Sequence, residues 1–151
     1  MWKLELDEEY FRIFGSDKNV AGYFDPDYGD IHPKENEEEI IQSMIKNHDS
    51  IPGGFLTVPL LKFGIFDTDL NTDIDSIEER LAGSLDRLKR WRMAIKEINP
   101  EFHAINISHT DQDMLSISFS LNFGQKVPLK KESILEKLSP ILDLLHKYSL
   151  L

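Results

Sequence analysis

The sequence predicts an α+β fold, with helices packed on a small antiparallel sheet or hairpin, an N-terminal arm and a C-terminal helix. Three observations predict it. In "MLSISFSLNF", Leu115, Ile117, Phe119, Leu121 and Phe123 alternate with Ser116, Ser118, Ser120 and Asn122, the period-two pattern of a strand with one buried face. Ile77, Leu81, Leu85, Leu88, Trp91, Ile95 and Ile98 recur every three or four residues, as on one side of a helix of about seven turns. Strands and helices do not alternate along the chain in the way that builds a parallel sheet.

Residues 1–34 show weak periodicity, and "AGYFDPDYGDIHP" is rich in turn formers, so this part reads as an arm or irregular lead-in with one short element. A first helix is expected from Asn36, whose side chain caps free backbone N–H groups with Glu39 as its capping-box partner. Ile40, Ile41, Met44 and Ile45 give it a narrow apolar stripe, and "NHDSIPGG" ends it. "GGFLTVPLLKFGIF" is apolar but divided by Pro59 and Gly64, which suggests an extended segment over the core or an edge strand, where proline is tolerated. The long helix follows, and Asn99-Pro100 stops it because a residue before proline disfavours helical angles. "HAINIS", with Ile105 and Ile107 directed inward, is the expected hairpin partner of 115–123. A last helix is expected over about Glu132–Tyr148, broken or kinked at Pro140. The whole reads as one domain: lead-in 1–34, core 35–128, C-terminal helix 129–151.

Charge and composition narrow the function classes. The chain of 151 residues has a net charge of −10, with 19 acids and 6 bases in residues 1–79 against 8 acids and 11 bases in residues 80–151. Phosphate-backbone binding is disfavoured, so no nucleic-acid partner is expected, while complementary fields can direct association with proteins. There is no cysteine for a disulfide or thiolate site, and no apolar run near the roughly 20 residues of a membrane span, so neither metal-thiolate chemistry nor a membrane partner is expected. The opening "MWKLELDEE" lacks the basic start and apolar stretch of a signal peptide, which suggests a soluble, reducing compartment.

One stretch approaches a metal motif. In "DTDLNTDIDSIE" (67–78), oxygen-bearing side chains fall at places 1, 3, 5, 7, 9 and 12, nearly the spacing of a calcium loop. Its sixth place, however, is Thr72 instead of glycine, and a left-handed conformation there costs on the order of 1–2 kcal/mol. Helix initiation explains the acids better: Asp73, Asp75, Glu78 and Glu79 precede or enter the long helix, where its positive end favours them. The five histidines lack the helical pairing of a zinc hydrolase, and His103 and His109 lie roughly 20 Å apart on one strand. "IPGGF" lacks the lysine-serine ending of a phosphate loop. Asp25, Asp27 and Asp30 in "DPDYGD" read as turn formers, not a catalytic dyad, and Trp91, though set among bases in "RLKRWR", falls on the apolar stripe and reads as core. No catalytic residue, metal ligand or cofactor is expected.

The order of these elements resembles the small baseplate wedge proteins of contractile phage tails and related injection machines, a family often labelled "lysozyme-like". The resemblance covers roughly residues 29–123. It runs from Gly29-Asp30 through the Ile40/Ile41/Ile45 helix to "IPGGFLTVPLLKFGIF" with its Phe63-Gly64 ending, then through the long helix to the Ile105/Ile107 and Leu115/Ile117/Phe119 hairpin. Many members carry a Glu-Pro-Arg turn before the hairpin, whereas this chain has Asn99-Pro100-Glu101 and no arginine at that turn. The resemblance implies a non-enzymatic virion subunit, made in a bacterial host, that joins wedge subunits around the tail tube and helps sheath assembly begin. Its implied partners are other wedge proteins and the sheath and tube proteins.

The residues suggest a route to such a role. A neighbour's strand can add to an open edge, either at Ala104–Ser108, with Ala104, Ile105 and Ile107, or at Leu115–Phe123, with Leu115, Ile117 and Phe119. Trp91 on the long helix and the Ile134/Leu138/Ile141/Leu145 stripe are candidates for partner helices, unless both stripes are internal core. A second reading is a small acidic inhibitor or immunity-type protein whose front half covers a basic partner.

Overall fold

The computed structural model describes residues 1–27, 48–62, 74–98, 102–109 and 114–151. The elements in chain order are β1 (Lys3–Asp7), β2 (Tyr10–Phe14), β3 (Val20–Asp27), β4 (Ser50–Lys62), α1 (Ile74–Glu97), β5 (Phe102–His109), β6 (Met114–Pro128) and α2 (Lys131–Lys147). The described strands form one antiparallel sheet in the order β1-β2-β3-β4-β6-β5, and the two described helices pack on it, which makes the fold α+β.

Residues 1–27 are not an arm. They fold as a three-stranded meander that makes half of the sheet, with Leu4 paired to Ile13 and Phe11 to Phe24 across its inner face. Asp25 and Asp27 lie on β3 and not in a turn. Two connections in this region turn through Glu8 (φ 54°) and Lys18 (φ 62°), residue types that seldom adopt left-handed angles and so give little turn signal.

β4 is likewise no edge, because β3 and β6 flank it. A central strand accepts its two prolines because the register shifts beside each, between Ile51 and Gly53 and between Pro59 and Leu61. Such bulges take up positions that cannot donate to the ladder. The paired glycines have a steric cause. A Cβ on Gly53 would stand 1.9 Å from the Leu121 carbonyl oxygen, and one on Gly54 would stand 2.4 Å from that of Asp25. Only hydrogen lets the neighbouring strands approach this closely.

One face of the sheet meets the helices. Phe11, Ile13, Phe24, Leu56, Val58, Leu60, Ile117 and Phe119 enter a common core with Trp91 and Ala94 of α1 and with Ile134, Leu138, Leu142 and Leu145 of α2. Fully burying each large apolar side chain contributes roughly 1.5–3 kcal/mol. Trp91 stacks on Phe119 with ring centroids 6.4 Å apart. The predicted stripe of α1 is covered only toward its C-terminal end, where Ile95 and Ile98 pack on the core, while Leu81, Leu85 and Leu88 are exposed. α1 begins at Ile74 with Asp75 in its first turn, as the helix-initiation reading expects; residues 67–73 of the acidic stretch and the helix expected from Asn36 lie outside the described residues.

α2 runs through Pro140 without interruption, and the Ser139 hydroxyl donates to the Leu135 carbonyl one turn back. Its end closes with Ser149 at φ 56° and the Leu150 amide bonded to the Leu145 carbonyl, which buries Leu150. Arginines of α1 reach carbonyls at this end and on β4: Arg90 donates to Tyr148 and Ser149, and Arg87 to Leu150, Leu60 and Pro59. Arg87 thereby ties α1 both to the bulge of β4 and to the chain end.

Candidate binding edge

Of the two hairpin strands offered for strand addition, the strand order leaves only one available. β6 is inside the sheet, with Ser118 between Thr57 of β4 and Asn106 of β5. Both its neighbours are also tied through side chains: the Thr57 and Ser118 hydroxyls are 3.1 Å apart, and so are those of Ser108 and Ser116. Among the described strands the edge is β5, paired to β6 from Phe102 to His109 and last in the sheet order. At about 3.3 Å per residue its eight residues offer an edge of roughly 26 Å.

The sequence of β5, "FHAINISH", contains no Asp, Glu, Lys, Arg or Pro, the residues that commonly blunt an edge. Residues 105–108 are all exposed. Ile105 and Ile107 share the helix-facing side, opposite Phe119 and Ile117, but the expectation that they are buried is wrong: they are 37% and 60% exposed. The helix contacts explain this. Among the described residues α1 packs on β4, and α2 on β6 and β1, so neither of these two helices reaches the last strand.

The predicted contact residues therefore separate into two sets. Ala104, Ile105 and Ile107 belong to the free edge strand. Trp91, Ile117, Phe119, Ile134, Leu138 and Leu145 are at most 1% exposed and are core of this chain, so they cannot meet a partner without unfolding; Leu115 and Ile141 are partly buried against the same core. Sequence reasoning missed Asn106 and Ser108, which stand exposed on the other side of β5. Their alternation with Ile105 and Ile107 was the available signal.

Among the described residues no three His, Cys, Asp or Glu side chains gather in a way that could hold a metal ion, and no helix is long and apolar enough to cross a membrane. The chemistry this edge offers is backbone hydrogen bonding along one margin, with two isoleucines on one side and Asn106 and Ser108 on the other. Comparison with protein-family models, curated proteins and solved structures finds no match.

Proposed function

We propose that this chain is a non-enzymatic assembly subunit that receives a strand from a neighbouring polypeptide on the outer side of β5. The observation that carries this reading is an eight-residue strand without Asp, Glu, Lys, Arg or proline that stands at the edge of the described sheet, with Ile105 and Ile107 exposed and neither described helix packed on it. A strand laid there makes backbone bonds for affinity, and its alternate side chains meet Ile105 and Ile107 on one side and Asn106 and Ser108 on the other, which fixes register. The setting suggested by the sequence resemblance is the wedge of a contractile-tail baseplate, with other wedge proteins and the sheath and tube proteins as neighbours.

The test is co-assembly. The chain is mixed with candidate wedge, sheath and tube proteins, and the complexes are sized by light scattering at low and high salt. Ile107→Lys sets a charge on the exposed edge without touching the core, and it is expected to abolish the complex while the circular dichroism and melting temperature stay as in the unmodified chain. A folded Ile107→Lys protein that assembles normally sinks the proposal.

A further inference from the structure

The sheet face turned away from the core is itself divided. Over β4, β6 and β5 it presents Thr57, Ser118, Ser116, Ser108 and Asn106, largely a ladder of hydroxyls. Over β2, β3 and the near side of β4 it presents aromatic rings around a carboxylate. Tyr23 stands between Arg12 and Thr57, and Asp25 stands opposite Phe55. The rings of Tyr10 and Tyr23 meet edge to face with centroids 5.4 Å apart, and the Tyr10 hydroxyl donates to Asp7 at 3.3 Å. Tyr10, Tyr23, Asp25, Phe55 and Thr57 line a shallow depression of about 320 Å³.

Two features of this group are unexplained by the fold. Tyr23 and Phe55 are large rings left 42% and 47% exposed side by side, where a soluble sheet face ordinarily carries polar residues. The Asp25 carboxylate, set among them, has no hydrogen-bond or ion-pair partner among the described residues. Partial burial, then the charges of Glu9 and Asp27, push its pKa upward. Among the described residues the charges acting on it are therefore carboxylates. Arg12 is committed elsewhere, with its Nε 3.1 Å from Asp7 and its guanidinium over the Phe14 ring.

We propose that this depression is a binding site for an arginine side chain of a basic partner protein. Rings with exposed faces attract a cation, a planar guanidinium stacks on them, and its paired N–H groups match a carboxylate in a way that an ammonium cannot. The chain's net charge of −10 draws a basic partner toward this face. The site lies on β2, β3 and β4, so an arginine can be seated here whether or not β5 receives a strand.

The experiment is a titration of the isotopically labelled full chain, followed by backbone amide NMR shifts, with N-acetyl-arginine methylamide, its lysine counterpart and its norleucine counterpart. Arginine is expected to move the amides around Tyr10, Tyr23, Asp25, Phe55 and Thr57, lysine to do so more weakly, and norleucine not at all. Asp25→Asn is expected to weaken the arginine effect about tenfold, the size of one lost charge-assisted contact, and Phe55→Ala about fivefold. Both variants are judged on amide spectra that otherwise match the unmodified chain. Three results overturn the proposal: shifts spread evenly over the acidic surface, equal shifts with norleucine, or an arginine response that survives Asp25→Asn unchanged.

Discussion

The two margins of the sheet are built differently. β1 is five residues long and carries Lys3, Glu5 and Asp7. Lys3 pairs with Glu5 at 2.8 Å, and Asp7 with Arg12 of the next strand at 3.1 Å. The margin is also anchored from above, where the Trp2 indole N–H donates to Asp143 of α2 at 2.8 Å and its ring meets His146 edge-on. β5 is eight residues long and has no Asp, Glu, Lys or Arg, and α2 packs on β1 and β6 instead. The same chain thus blunts one margin by the usual means of shortness, charge and cover, and leaves the other plain. An unprotected edge invites aggregation unless a partner covers it, and that contrast supports a role in assembly.

The sharpest way to break this comparison is to ask whether β6 is interior and β5 is not. Ser118→Pro removes a donor from the middle of a flanked strand and is expected to cost about 3 kcal/mol or more, or to prevent folding. On β5, successive N–H groups point alternately toward β6 and outward, so one of Asn106→Pro and Ile107→Pro loses only an outward donor. The milder of these two is expected to cost about 1 kcal/mol or less. Urea melts of the three variants check this, and equal losses would show that β5 is covered.

A smaller effect is expected where strands approach most closely. Gly53→Ala drives a methyl group into the Leu121 carbonyl, and a loss of roughly 1–3 kcal/mol in a urea melt is expected as β4 and β6 part. An unchanged midpoint would contradict the tight β4–β6 register.

Away from both margins, Asp25→Asn is expected to be slightly stabilising. The folded-state pKa of Asp25 is raised, so the folded protein holds this proton more tightly than the unfolded chain does. The stability it contributes is present in acid, falls as pH rises between the unfolded and folded values, and stays lost at neutral pH. Because the group is largely solvent-screened, the gain from asparagine is expected to be at most about 0.5 kcal/mol at pH 7 and to vanish in acid, as thermal melts across pH would read.

The smallest stability changes should give the clearest split between the margins. Leu6 on β1 and Ile107 on β5 are both exposed apolar residues at an edge. Leu6→Lys and Ile107→Lys are each expected to shift stability by less than about 0.5 kcal/mol. Only Ile107→Lys should abolish assembly, so a matching loss with Leu6→Lys would erase the distinction between the edges.

The sequence shows β6 and α1 plainly, because strict alternation and a sustained helical stripe reflect burial on one side of each element. Trp91 was recognisable as core for the same reason. The three N-terminal strands were hidden because β1 and β2 have only five residues each, Gly22 and Pro26 punctuate β3, and the turns between them pass through glutamate and lysine instead of glycine or asparagine. β4 was hidden because Pro52, Pro59 and the Gly53-Gly54 pair resemble the punctuation of an edge or loop, although bulges and close strand approach are what place them in the middle of the sheet.

For the binding edge, residue types alone determined that "FHAINISH" is an extended segment with one apolar side and no charge. Whether that side is core or surface depended on how far the helices reach across the sheet, and local periodicity does not encode that. The same holds for Ile117 and Ile107, neighbours in one ladder with the same side chain, one fully buried and the other 60% exposed. Pattern fixes the direction in which a side chain points, and only the packing of distant segments decides what it meets there.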